Sequence, residues 1–165
     1  MAEEKMNKWA LILGASSGFG AAACRALARR EYNIAGVHLD RRATAANAEK
    51  LAQEIRDMGR QALFFNVNAA DAERRAEVIA ALREATADDP KGDGVSILLH
   101  SLAFGTLKPY LSRESGSAIK PADLNMTLDV MAHSFVYWIQ DLAAAELLRR
   151  GARLPAPRPW RPPSA

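Results

Sequence analysis

The sequence predicts an α/β fold, a doubly wound parallel sheet of strand order 3-2-1-4 with helices on both faces. Two observations predict it. Four short apolar runs alternate with segments of helical periodicity, and that alternation with short connections gives parallel strands joined by right-handed crossovers. The first apolar run also passes directly into glycines at 14, 18 and 20 and then an alanine-rich stretch, a tight strand-to-helix turn. The composition agrees with one globular domain: 165 residues, 49% apolar and 25% charged.

Trp9 to Leu13 reads as a buried strand and Gly18 to Arg30 as a helix closed by basic residues. Asn33 to Leu39 is the second strand. Thr44 to Met58 is helical, with Leu51 and Ile55 one turn apart and Gly59 as its stop. Gln61 to Val67 is the third strand. Asp71 caps a helix running to about Thr86, with Val78, Ile79 and Leu82 on one face. Residues 88–94 form a loop. Val95 to His100 is a fourth strand, apolar almost throughout, as suits a strand covered on both faces. Residues 101–120 are irregular, and a long helix opens at Pro121 or Ala122 and reaches Arg150.

In a sheet of this order the ligand crevice lies beyond the carboxyl ends of strands 1 and 4. The Gly14-Ala15-Ser16-Ser17-Gly18-Phe19-Gly20 loop follows strand 1 and so sits there. Free amides and the positive end of the helix dipole at such a turn suit a dinucleotide pyrophosphate. Ser16 and Ser17 add hydroxyls for phosphate or cap the helix. Asp40 ends strand 2, where a carboxylate accepts bonds from the adenosine ribose; Arg41 and Arg42 follow, and arginine there favours a 2′-phosphate. NAD and NADP therefore both remain open, with a lean to NAD. Asn66 either reads the adenine amino group or caps the turn toward Asp71, and Val67 frames the ring. Ser101, Leu102 and Ala103 leave strand 4 beside the crevice, small enough for a nicotinamide ribose to approach. His100 reads as structural. Asp129, His133 and Ser134 do not make a hydrolytic triad, because Ser134 adjoins His133 and points about 100° away around a helix.

Cys24, the single cysteine, excludes an internal disulfide and reads as a small buried apolar residue. No group of residues has metal-ligand spacing. The net charge of +3 comes from the last 17 residues, which hold five arginines and no acid, leaving −2 for the rest. A nucleic-acid partner is not expected. Nor is a membrane: no apolar run has bilayer length, and the first residues have no signal-peptide core. The expected location is cytoplasmic.

The glycine loop, Asp40, Asn66-Val67 and the exit from strand 4 together resemble the short-chain dehydrogenase/reductase superfamily, from about Met6 to Leu154. The resemblance implies a Rossmann-like NAD(P)-binding domain over 1–154. His100-Ser101-Leu102-Ala103-Phe104 is similar to the His-Ser-Ile-Ala-Phe of enoyl-acyl-carrier-protein reductases. Asp129-Val130-Met131-Ala132-His133-Ser134-Phe135 is similar to their long helix, with Met131 where most of the superfamily has asparagine. This implies reduction of an enoyl thioester, a small-molecule acyl substrate, by hydride from a nicotinamide. A 3-ketoacyl or alcohol dehydrogenase is the alternative, and a non-catalytic nucleotide-binding fragment a third reading.

The resemblance also implies a tyrosine and a lysine after strand 5. Neither Tyr32, Tyr110 nor Tyr137 is followed by lysine at the family spacing. Residues 155–165 hold five prolines in eleven, which a central strand cannot use. Gly151 to Leu154 resembles the entry to strand 5, and the expectation is thus a C-terminally truncated chain lacking the later strands, without catalytic residues of its own, with 155–165 a disordered or out-of-frame tail. Strand 4 would then be an open edge, Phe135, Trp138 and Ile139 would miss partners, and the chain would self-associate. The family also implies a homo-oligomer paired through the long helix.

Overall fold

A computed structural model describes residues 8–41, 44–87 and 94–155. The order of elements is β1 (Trp9–Leu13), α1 (Gly18–Ala28), β2 (Asn33–His38), α2 (Ala45–Asp57), β3 (Ala62–Asn66), α3 (Ala72–Thr86) and β4 (Val95–His100). Then come α4 (Pro121–Leu128), a π-helical turn (Asp129–His133), α5 (Ser134–Ala144) and β5 (Leu148–Arg153). All strand pairs are parallel, and the sheet order is β3-β2-β1-β4-β5.

The alternation of side chains along each strand builds two cores. Trp9, Leu11, Leu13, Val37 and Leu98 face Val78 and Leu82 of α3 and Trp138 and Leu142 of α5. Ala10, Ile12 and Ile34 face Cys24 of α1 and Leu51 and Ile55 of α2. β1 is fully buried because it lies between both layers. Cys24 has no exposed surface, and burial pushes its thiol up to about 12, as a packing residue requires. Asp71 caps α3 as the sequence implies, its Oδ1 accepting from the amides of Glu73 and Arg74 at 3.0 and 3.1 Å.

Three expectations are corrected. The long helix ends at Ala144, well short of Arg150. Glu146 takes a left-handed φ of 58° and the Leu147 amide bonds back to Leu142, which closes the helix without the glycine that usually marks such a stop. The freed residues become β5, so the sheet gains a fifth strand and β4 is not an edge. Trp138 does not lack partners: it is fully buried, and its Nε1 donates to the Ala69 carbonyl at 2.9 Å. Arg42, the 88–93 part of the loop and the tail from 156 lie outside the described residues.

Candidate nucleotide-binding crevice

The register aligns the strand ends. Leu13 pairs with Val37 and with His100, and His38 pairs with Asn66. The next residues of each strand therefore leave the sheet at one level, on the side where the chain order turns from β2 to β4. There the Gly14 and Ala15 amides donate to Val37 O, Ser101 N to Leu13 O, and Val67 N to His38 O. These bonds bring four loops around one cavity of about 310 Å³.

Of the residues the sequence points to, Gly14, Ser16, Ser17, Gly18, Phe19, Asp40, Val67, Ser101, Leu102 and Ala103 line that cavity. Gly20, Arg41 and Asn66 are not part of its lining. The glycines divide the work. A Cβ on Gly14 would lie 2.3 Å from Ser101 O, and one on Gly20 would lie 1.9 Å from Gly14 O; both let backbone segments touch. Gly18 alone faces open space, with φ +52°. The amides of Ser16, Ser17, Gly18, Phe19 and Gly20 have no backbone acceptor among the described residues, and the first bond of α1 is Ala21 N to Ser17 O. Ser17 sits at the N-cap without a capping side-chain bond, so the hydroxyl is uncommitted.

Both ends of the Asn66 amide are engaged with Asp40. Its Oδ1 accepts from the Asp40 amide at 2.9 Å and its Nδ2 donates to the Asp40 carbonyl at 3.1 Å. It ties the end of β3 to the end of β2. The turn toward Asp71 is closed instead by Asn68, whose Oδ1 accepts from Ala70 N at 3.0 Å.

His100 is structural, as expected. It is 2% exposed, its Nε2 lies 3.0 Å from Ser134 Oγ, and its ring meets Phe135 edge-on. Ser134 Oγ donates to Val130 O at 2.7 Å, so the histidine is the donor in the pair. Burial holds its pKa below the usual imidazole value. This bond pins the strand-4 exit to the π-helical turn, and that turn puts Val130 into the cavity wall. The sequence carries no signal for Val130, because a π turn shifts the face its residues present. Ser134 is thereby committed away from His133, consistent with the absence of a triad.

A second, largely apolar cavity of about 580 Å³ adjoins the first, lined by Phe19, His100, Ser101, Leu102, Ala103, Met131, Ala132 and Phe135. None of the tyrosines lines either cavity. Tyr137 donates to Asp129 Oδ1 at 2.9 Å beneath Arg75, and Tyr110 is 80% exposed. No group of metal-ligating side chains occurs among the described residues, and no helix among them is long and apolar enough to cross a membrane.

The sequence matches the short chain dehydrogenase family over residues 8–151. The chain belongs to that family. No curated protein matches the sequence. Among solved structures, the fold is similar to a short chain dehydrogenase from Burkholderia cenocepacia in complex with NADP. The two share 23% identity with a TM-score of 0.72, over 93% of this chain and 56% of that one. It is similar to a blue fluorescent protein from a metagenomic library in complex with NADPH, at 23% identity and TM-score 0.73, with the same coverage. A 3-oxoacyl-[acyl-carrier protein] reductase from Brucella melitensis matches at 22% and TM-score 0.65, over 86% of this chain and 51% of that one. This short chain dehydrogenase sequence thus spans about half the length of these solved relatives.

Proposed function

We propose that the crevice holds a nicotinamide dinucleotide, NAD or NADP, and that the activity served is reduction of an enoyl thioester. The observation that carries the first part is the row of five amides from Ser16 to Gly20 that have no backbone acceptor among the described residues, at the start of an 11-residue helix and open at Gly18. These donors fit a pyrophosphate, and the dipole of α1 adds to the attraction. Ser16 and Ser17 add hydroxyl donors. Asp40 faces the adenosine ribose, and Val67 borders the adenine. Backbone at Ser101 to Ala103 lies beside the nicotinamide ribose. When bound, the dinucleotide supplies hydride.

The acyl reading rests on the resemblance at residues 100–104 and 129–135 and on the second cavity. That cavity shares Ser101, Leu102 and Ala103 with the first and continues into Met131, Ala132 and Phe135, a surface for an acyl chain. The Leu124, Leu128 and Val136 side chains on α4 and α5 are exposed, which suits a homo-oligomer.

NADH and NADPH titrations read by fluorescence test the binding; saturation by either supports it, and no response to both refutes it. Loss of nicotinamide absorbance is then followed with a 2-enoyl thioester and with a 3-ketoacyl thioester, using protein extended to the length of its relatives. Turnover of the enoyl substrate supports the reading. Turnover of the 3-ketoacyl substrate alone replaces it with ketoreduction.

A further inference from the structure

His38 belongs to a bonded set at the ribose end of the crevice that the sequence does not announce. Its ring is 5% exposed at the end of β2, and Nδ1 lies 2.9 Å from Asp40 Oδ2. Thr44 Oγ1 donates to Asp40 Oδ1 at 3.1 Å. The Asp40 peptide is held on both sides by the Asn66 amide. Side chain and backbone of Asp40 are therefore both fixed, from three different elements or loops, while His38 and Asp40 line the cavity.

We propose that His38 is a positioning residue for cofactor selection: it holds the Asp40 carboxylate toward the crevice as an intact negative charge, and so makes this site choose NAD(H) over NADP(H). The inference rests on the dinucleotide reading above. A carboxylate only accepts, so the proton between the two residues sits on Nδ1. Burial lowers the His38 pKa more than Asp40 raises it, so the ring donates while uncharged. A protonated partner would cancel the Asp40 charge; a neutral donor leaves it whole. Each carboxylate oxygen accepts one bond here and keeps a second acceptor site. Those two sites match the two hydroxyls of an adenosine ribose. A 2′-phosphate would instead meet a fixed like charge at short range in a partly desolvated cavity, which disfavours it.

Arg41 is the opposing feature. Its side chain is exposed, while its carbonyl accepts from Thr44 N and Ala45 N and so closes the turn, sharing the single Thr44 hydroxyl hydrogen with Asp40 Oδ1.

The test measures dissociation constants of NADH and NADPH at pH 7.5 for the whole chain and for His38→Leu, His38→Asn and Arg41→Ala, with circular dichroism as the check on folding. The wild type is expected to bind NADH at least about tenfold more tightly than NADPH. His38→Leu removes the donor and brings the ratio to about threefold or less, while His38→Asn, whose Nδ2 takes the Nδ1 position, restores it. A purely structural role would weaken both cofactors alike and leave the ratio unchanged, which overturns the proposal. So does preference for NADPH that Arg41→Ala abolishes. Binding of neither cofactor by the folded wild type refutes the dinucleotide reading and this inference with it.

Discussion

Gly20→Ala sets two effects of opposite sign against each other. Gly20 is the third residue of α1, and in a helix alanine is favoured over glycine by about 1 kcal/mol. Propensity alone predicts a more stable protein. The structure predicts the reverse. The new Cβ would lie 1.9 Å from Gly14 O and 2.8 Å from Gly14 C. Both are backbone atoms of the loop, which is itself tied to Val37 and packed on Ser101, so no flexible side chain can yield. Reaching an ordinary contact of about 3.4 Å needs roughly 1.5 Å of movement between α1 and the end of β1. Overpacking of this kind costs about 1–3 kcal/mol, sometimes more. The net is a loss of up to about 2 kcal/mol, or a Tm lower by up to roughly 8 °C for a domain of this size. Urea and thermal unfolding followed by circular dichroism measure it. Gly18→Ala is the control. Its Cβ meets nothing within 4 Å, so only the left-handed backbone costs, about 1 kcal/mol, while the methyl narrows the crevice. A Gly20→Ala protein more stable than wild type would refute the steric reasoning.

Asp71→Ala removes both capping bonds of α3 and is expected to lower stability by about 1 kcal/mol, read as a shift in urea midpoint at constant m-value. Arg75→Met keeps the aliphatic stem but removes the 2.7 Å bonds to Asp141 Oδ2 and Ala70 O. Asp141 is exposed enough to take up water, so the loss is about 1–3 kcal/mol, chiefly from the abandoned carbonyl; an unchanged midpoint would count against it. The pH dependence follows from two histidines. His38 and His100 both have folded-state pKa values below the ordinary 6.5 because burial disfavours the charged ring. The unfolded chain therefore binds more protons below that pH. Stability is full at and above neutrality and falls as pH drops below about 6.5, by up to about 1.4 kcal/mol per pH unit per histidine. The carboxylates with lowered pKa, Glu54 and Asp123, lose their contribution only at more acid pH. Urea midpoints at pH 7.5, 6.5 and 5.5 are expected to fall slightly over the first interval and chiefly over the second, and a flat profile would contradict the assignment.

The central sheet is legible in the sequence because its signals are local. Trp9–Leu13 is an unbroken apolar run, Val95–His100 is interrupted only by Ser96 before its closing histidine, and Asp71 stands one residue before a periodic helix. The glycine loop is legible for the same reason. β5 is legible only at its end, where Gly151 to Leu154 reads as a strand entry; its first half, Leu148–Arg150, reads as helix because the stop before it is a left-handed glutamate that residue type does not advertise. The π-helical turn is equally silent, although it decides that Val130 faces the crevice and Met131 the neighbouring cavity. The residue type of Asn66 suits adenine or a turn cap equally. Only the register, which sets it opposite His38, gives it to Asp40 instead. His38 carries no signal of its own in the sequence, since its contact is with a side chain two positions away that the strand end turns back toward it.

The account rests on the amides of Ser16 to Gly20 receiving a dinucleotide pyrophosphate. Amide NMR of the labelled chain, titrated with NADH, observes those donors one by one. Saturable shifts are expected at Ser16, Ser17, Gly18, Phe19 and Gly20, with companions at Asp40 and at Ser101 to Ala103, while Glu73 and Arg74 at the cap of α3 stay in place. Saturable shifts that leave 16–20 unmoved, or no shifts at all in the folded chain, would contradict it.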